Sequence, residues 1–227
     1  MLERILPRGT AVVFTTGELD TELFPEEEVA LGQAVEKRRR EFVTARACAR
    51  RALSRLGYPA QPIPAGSRGE PVWPRGIVGS ITHCAGYRAC AVAPATELLT
   101  IGVDAEVDDS LPEGLIGDIA LPEERRWIEA AAAADPGVSW DRLLFSIKES
   151  IYKAWFPLAR CWLGFEDASV TIDRSSGGFE AQLLVAGPTV NGRALDRFTG
   201  RWLAAEGLLL CAIALSTAAD DSATVDF

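Results

Sequence analysis

The stretch from Trp140 to Phe156 constrains the fold more than any other, because its helical pattern is apolar on two opposite sides. Leu143, Ile147, Ile151 and Ala154 make one face, and Phe145, Tyr152 and Phe156 flank the other. Pro157 is expected to close the helix. A helix of this kind lies between layers of protein, not on a surface. Yet it carries Lys148, Glu149 and Lys153. Glu149 and Lys153 have the i, i+4 spacing of a surface ion pair, worth a few tenths of a kcal/mol, an explanation that their aromatic neighbours weaken. A buried carboxylate beside two ammonium groups needs compensation, which a metal ion with a phosphate supplies. The charged line is expected to face an enclosed site.

Upstream, residues 99–106 alternate cleanly. Leu99, Ile101, Val103 and Ala105 take one side of a strand, and Thr100, Gly102, Asp104 and Glu106 take the other. Two carboxylates at i and i+2 repel unless a proton or cation sits between them. Hard divalent ions such as Mg²⁺ prefer such oxygens. Gly102 leaves space on the same side. Taken alone, the segment fits a solvated strand end as well as a pair of metal ligands.

Strands are expected at 77–83, 87–93 and 98–106, separated by Cys-Ala-Gly and by a turn after Pro94. A basic helix precedes them. Between Glu36 and Arg55 eight basic residues stand against two acidic ones, apolar positions recur from Val35 to Leu56, and Gly57 and Pro59 end the run. On that helix Arg38 falls within the apolar stripe and Arg46 beside it, so each needs an anionic partner. After Glu106 a fresh start leads to a helix opened by Pro122, then to the helix with Glu149. Strands follow at 168–173, 179–185, 201–205 and 208–215. Each half supplies helix and antiparallel strands, so the chain reads as two α+β lobes meeting near residue 107.

A net charge of −9 and a pI of about 4.8 argue against nucleic acid as a partner. Any anionic ligand must be met by local positive charge. No apolar run approaches a membrane span. Residues 1–20, broken by Pro7, Arg8 and Gly9, make a poor secretory signal, and the chain is expected in the cytoplasm. Cys48, Cys84, Cys90, Cys161 and Cys211 are odd in number and lack zinc or redox spacing, which suits small buried residues in a reducing compartment. His83 is the only imidazole. It is either a satisfied core histidine or a donor to a phosphate, and the chain offers no second His or suitably spaced Cys for zinc.

Six stretches resemble, in order, the Sfp/EntD-type 4′-phosphopantetheinyl transferases, most closely the actinobacterial branch. They are 38–52, Gly69-Glu70-Pro71, 79–87, Gly102-Val103-Asp104-Ala105-Glu106, 145–155 and 162–167. Gly-Val-Asp-x-Glu followed by Lys-Glu-Ser-x-Tyr-Lys is the specific part. The resemblance implies a pseudo-twofold pair of α+β lobes with the active site in the cleft between them. Residues 1–106 would take the coenzyme A nucleotide side and residues 107–227 the carrier-protein side. Mg²⁺, or Mn²⁺ in its place, would sit on Asp104, Glu106 and Glu149 and bridge the coenzyme A pyrophosphate.

The resemblance also makes Glu149 the general base toward a serine of an acyl or peptidyl carrier protein. Lys153 would stabilise the phosphate with Lys148 close by, and Thr82 and His83 would contact coenzyme A phosphates. Arg38 and Arg46 match positions that grip the nucleotide end, and Arg68, Glu70 and Pro71 belong to a loop on that side. The implied protein is a monomer with neither nucleic acid nor membrane as partner. Its implied activity is transfer of 4′-phosphopantetheine from coenzyme A to the carrier serine, which activates carriers for fatty acid, polyketide or nonribosomal peptide synthesis. A Mg²⁺-dependent hydrolase of nucleotides or phosphodiesters, using the same carboxylates with water as nucleophile, is the alternative.

Overall fold

The computed structural model describes residues 1–190 and 192–218. Its strands are β1 (Ala11–Thr15), β2 (Ile77–Cys84), β3 (Tyr87–Pro94), β4 (Leu98–Val107), β5 (Ala168–Asp173), β6 (Gly178–Leu183), β7 (Thr189–Val190), β8 (Arg193–Ala194), β9 (Arg197–Ala205) and β10 (Leu208–Ser216). Its α-helices are α1 (Pro25–Leu31), α2 (Glu36–Arg55), α3 (Ile116–Ile119), α4 (Pro122–Ala134) and α5 (Trp140–Ala159).

These elements stack as helix, sheet, sheet, helix. Helix α2 covers a three-stranded antiparallel sheet of order β1-β3-β2, setting Cys48, Ala49, Ala52 and Leu53 against Val13, Cys90 and Val92. The far face of that sheet, with Val12, Ala89 and Ala91, packs on Ile101, Val103 and Ala105 of β4 and on Leu210 and Ala212 of β10. The outer face of the second sheet, of order β4-β10-β9-β6-β5, carries α5. There Leu143, Ile147 and Ile151 meet Leu209, Cys211 and Ile213. Strands β3 and β10 are buried on both faces, which is why each reads as a nearly unbroken apolar run. Leu143, Ile147 and Ile151 are fully buried, and at about 1.5–3 kcal/mol each they anchor α5 far more firmly than surface ion pairs could.

The chain is thus α+β, with long helices on antiparallel sheets. Strands β2, β3 and β4 lie where alternation predicts them, but their partners do not follow from it. β4 pairs along its whole length with β10, so the strand bearing Asp104 and Glu106 is hydrogen-bonded into the sheet of the second half. Its other edge meets β2 through side chains. Ser80 Oγ accepts the Val103 N–H at 3.1 Å and Thr82 Oγ1 the Ala105 N–H at 3.0 Å. Two hydroxyls at i and i+2 stand in for strand carbonyls and stitch the sheets together beside Asp104.

Two local expectations change. The space left by Gly102 is taken by α5 itself: a Cβ there would overlap the Ser150 carbonyl oxygen and stand 2.7 Å from the Ala154 nitrogen. Helix α5 does not stop at Pro157 but runs to Ala159, where Arg160 caps it in the left-handed region at φ 55°. Proline removes one N–H near the end of a helix, and the last turn is held by Arg160 N–H on the Phe156 carbonyl (2.9 Å) and by Trp155 Nε1–H on the Cys161 carbonyl (3.0 Å). The short elements β1 and α1 lie in a region whose broken pattern announces neither. Cys48, Cys90 and Cys211 are buried, as small core residues, while Cys161 is exposed. Among the described residues no helix is long and apolar enough to cross a membrane.

Candidate active site

A cleft of about 500 Å³ opens between α2, residues 68–73, β2 and the C-terminal half of α5. Helix α2 delivers Arg46 to its wall. This guanidinium is only 5% exposed, lies 4.1 Å from the Phe42 ring centroid, and has its ion-pair partner in Glu27, with Nε 4.0 Å from Oε1. Glu27 is fully buried and already holds Arg50, the Ile63 N–H at 2.9 Å and the Phe24 N–H at 3.0 Å. One carboxylate therefore serves two guanidiniums, and Arg46 Nε has no hydrogen-bond partner among the described residues. Burial pushes the Arg46 pKa down to about 10 against the pull of Glu27. A surplus buried cation facing a cleft calls for an anionic ligand.

Arg38 behaves differently. Its apolar-stripe position lies in the first turn of α2, ahead of the buried stretch that begins at Thr44. The side chain stands at the cleft rim, donating from Nη1 to His83 Nε2 at 3.2 Å and approaching Glu41 at 3.9 Å. Because Arg can only donate, His83 accepts as a neutral imidazole. Burial and then the Arg38 charge push its pKa below the ordinary value.

The loop of Arg68, Glu70 and Pro71 also lines the cleft. It is closed by a bridge between Ala65 and Pro71 and by the Gly66 N–H on the Glu70 carbonyl at 2.7 Å. The Glu70 carboxylate folds back onto the Arg68 N–H at 2.9 Å and faces Arg160 of α5 at 3.7 Å. Glu70 shapes the loop, and Arg68 lines the cleft.

The acidic residues gather around Asp104. Lys153 Nζ donates to its Oδ1 at 2.6 Å and to the Val103 carbonyl at 3.2 Å. Thr82 donates to Oδ1 at 3.1 Å, and Ser146 to Oδ2 at 2.8 Å. The Thr82 hydroxyl, expected on a ligand phosphate, is buried and spent on Asp104. Strand alternation turns only His83 of that pair into the cleft.

Glu106 is paired with Arg142 at 3.2 Å, and Arg142 is braced by the Asp109 and Ser110 carbonyls. Burial and then Asp104 raise the Glu106 pKa, while Arg142 opposes the rise. Glu149 lines the cleft. Its pKa is raised by burial and then by Asp104, with Lys153 pulling it back. Asp104 is therefore within electrostatic reach of both glutamates. Among the described residues no three His, Cys, Asp or Glu side chains stand in a metal-binding arrangement; Lys153 and Arg142 pair with two of these carboxylates. The donor set fits a hard divalent cation all the same. It is all carboxylate oxygen, and Asp104 adds to the rise in pKa of both glutamates.

Lys148 is not with them. Its ammonium is buried on another face of α5, at the wall of a second cavity, donating to Glu124 at 2.8 Å and to the Phe165 and Ala168 carbonyls at 2.7 and 3.1 Å. All three of its protons are used, which removes it from the expected phosphate contacts. One position along a helix is a turn of about 100°, and that separates it from Glu149.

This second cavity, of about 130 Å³, lies along Ile151, Trp162, Leu163 and Phe165. Glu149 and Tyr152 line both cavities, so the carboxylate stands where a cationic cleft meets a largely apolar slot. Sequence reading misses Ser146, Glu27, Glu124 and Arg142, whose partners are distant in the chain. A signal existed for Ser80 and Thr82: hydroxyls at i and i+2 share one face of an otherwise apolar strand.

Residues 26–93 match the 4′-phosphopantetheinyl transferase N-terminal domain, and residues 100–204 match the 4′-phosphopantetheinyl transferase superfamily. The chain is 52% identical over 197 residues to the 4′-phosphopantetheinyl transferase Svp of Streptomyces mobaraensis, covering 87% of this chain and 80% of that one. It is 48% identical over 224 residues to Npt of Nocardia iowensis, covering 94% and 99%, and 47% identical over 195 residues to PptT of Mycobacterium tuberculosis, covering 84% and 85%. With identity of this extent across both halves of the sequence, the chain belongs to the 4′-phosphopantetheinyl transferase superfamily.

Proposed function

We propose that the cleft binds coenzyme A and that the enzyme moves its 4′-phosphopantetheinyl group onto a serine of an acyl or peptidyl carrier protein. The observation that carries this reading is the position of Glu149, a carboxylate of raised pKa shared by a cationic cleft and an apolar slot. The nucleotide phosphates lie against Arg46, Arg38, His83 and Arg68, the pyrophosphate beside Lys153, and the pantetheine arm in the slot along Tyr152 and Trp162.

Glu149 takes the proton from the carrier serine, and a base whose pKa is lifted toward neutrality suits that task. The serine oxygen forms a bond to the phosphorus that carries the pantetheine arm. The bridging P–O bond breaks, and the nucleotide leaves as a bisphosphate. Lys153 offsets the charge that develops on the leaving oxygens. Asp104, Glu106 and Glu149 are the residues that would hold Mg²⁺ or Mn²⁺, which when bound supplies further neutralisation of a diphosphate.

Residues 1–106 serve the nucleotide side and residues 107–227 the carrier side, with β4 where they meet. All of these groups lie in one chain, so a monomer in the cytoplasm suffices, without nucleic acid or membrane. The exposed Trp162 and the neighbouring Phe145 and Phe165 offer the incoming carrier an apolar rim beside Glu149. The comparisons lend no support to the hydrolase alternative. Incubation with coenzyme A, Mg²⁺ and an apo carrier protein, followed by intact mass measurement, tests the reading. We expect the carrier to gain one phosphopantetheinyl group. Coenzyme A cleaved without carrier modification would favour hydrolysis instead.

A further inference from the structure

The Asp104 carboxylate is gripped from two elements besides its lysine: by Thr82 of β2 on Oδ1 and by Ser146 of α5 on Oδ2, at 3.1 and 2.8 Å. Ser146 is fully buried and lines neither cavity. A serine inside a helix ordinarily bonds a carbonyl of the preceding turn. Ser150, one turn along, does so, donating to the Ile147 carbonyl at 2.7 Å. Ser146 spends its single proton on a carboxylate, and charge-assisted hydrogen bonds of this kind are short and strong. The two hydroxyls are not equivalent. Thr82 also accepts the Ala105 N–H, so removing it would orphan a backbone donor, whereas the Ser146 hydroxyl has, among the described residues, besides Asp104 only the Cys211 thiol, a weak donor.

We propose that Ser146 is a positioning residue for cation binding: by holding Oδ2 it fixes the Asp104 carboxylate in one orientation and preorganises it for the divalent ion. This rests on the reading that Asp104, Glu106 and Glu149 are the ligands. Outer partners of metal-ligating carboxylates typically change metal affinity by about 10–100-fold. Ser146→Ala removes this interaction and substitutes the better helix former, so the variant folds.

The test is titration of full-length wild type and Ser146→Ala with Mn²⁺ in the presence of coenzyme A, followed by electron paramagnetic resonance, with Tm measured alongside. We expect the Mn²⁺ dissociation constant to rise about tenfold or more in the variant, with Tm lowered only by the loss of one hydrogen bond. The half-saturating Mg²⁺ concentration in the transfer assay should rise more than kcat falls. Unchanged Mn²⁺ affinity in the variant overturns the proposal, whatever happens to kcat or Tm, because a merely structural serine would move only those. Absence of Mn²⁺ binding in the wild type would instead remove the three-carboxylate reading, and this proposal with it.

Discussion

Lys148 and Lys153 share one helix and both meet carboxylates, yet only Lys153 reaches the cleft. The partner of Lys148 is Glu124 on α4, which also accepts the Leu121 and Val170 N–H groups at 2.7 Å each. Removing one member of a buried pair costs about 3–5 kcal/mol because the other is left uncompensated. We expect Lys148→Met to lose stability of that order in denaturant unfolding, Lys148→Met with Glu124→Gln, which keeps an acceptor for these N–H groups, to recover part of it, and surviving enzyme to keep its KM for coenzyme A. A raised KM at unchanged stability would return Lys148 to the cleft.

His83 supplies a pH test at the same scale. The unfolded chain takes up its proton at the ordinary value of 6.5 and the folded chain only below it. The unfolded state therefore binds more protons as pH falls through that value. The His83 contribution is complete above 6.5 and is lost beneath it. Between about pH 7.5 and about pH 5.5, wild-type Tm should fall more than that of His83→Gln. Equal slopes would contradict a neutral His83. Asp104, Glu106, Glu149 and Lys153 were legible in the sequence because chemistry and spacing within single elements mark them. Ser146 and Glu27 were not, because a small hydroxyl and a capping glutamate acquire meaning only from partners brought by the fold.

At the scale of elements, the site depends on how closely β4 and α5 approach. Gly102 lets the two backbones touch, and Thr100 Oγ1 donates to the Ala154 carbonyl at 2.9 Å beside it. Overpacking a core costs about 1–3 kcal/mol, occasionally more. Gly102→Ala meets backbone atoms that cannot give way, so we expect the upper part of that range in chemical denaturation. Transfer activity should fall too, since the Lys153–Asp104 pair spans the same contact. Unchanged stability would mean that β4 and α5 separate at little cost. The long helices and paired strands were legible through their 3.6 and 2.0 periods. The end of α5 was not, because its last turn is held by bonds beyond Pro157.

For the whole molecule, the order of helices and antiparallel strands could be read from the sequence, but the pairing of β4 with β10 could not. β4 joins β10 from the opposite end of the chain, and no local pattern specifies a pairing at that separation. That pairing brings the acidic strand beneath the charged helix, where Lys153 meets Asp104. The central claim is that these carboxylates act together in phosphopantetheinyl transfer. It is tested most directly by the rate of holo-carrier formation with Asp104→Ala, Glu106→Ala and Glu149→Ala, each first shown to be folded. We expect every one of them to lose at least about a hundredfold in rate; turnover at the wild-type rate in a folded variant would contradict the assignment of that carboxylate.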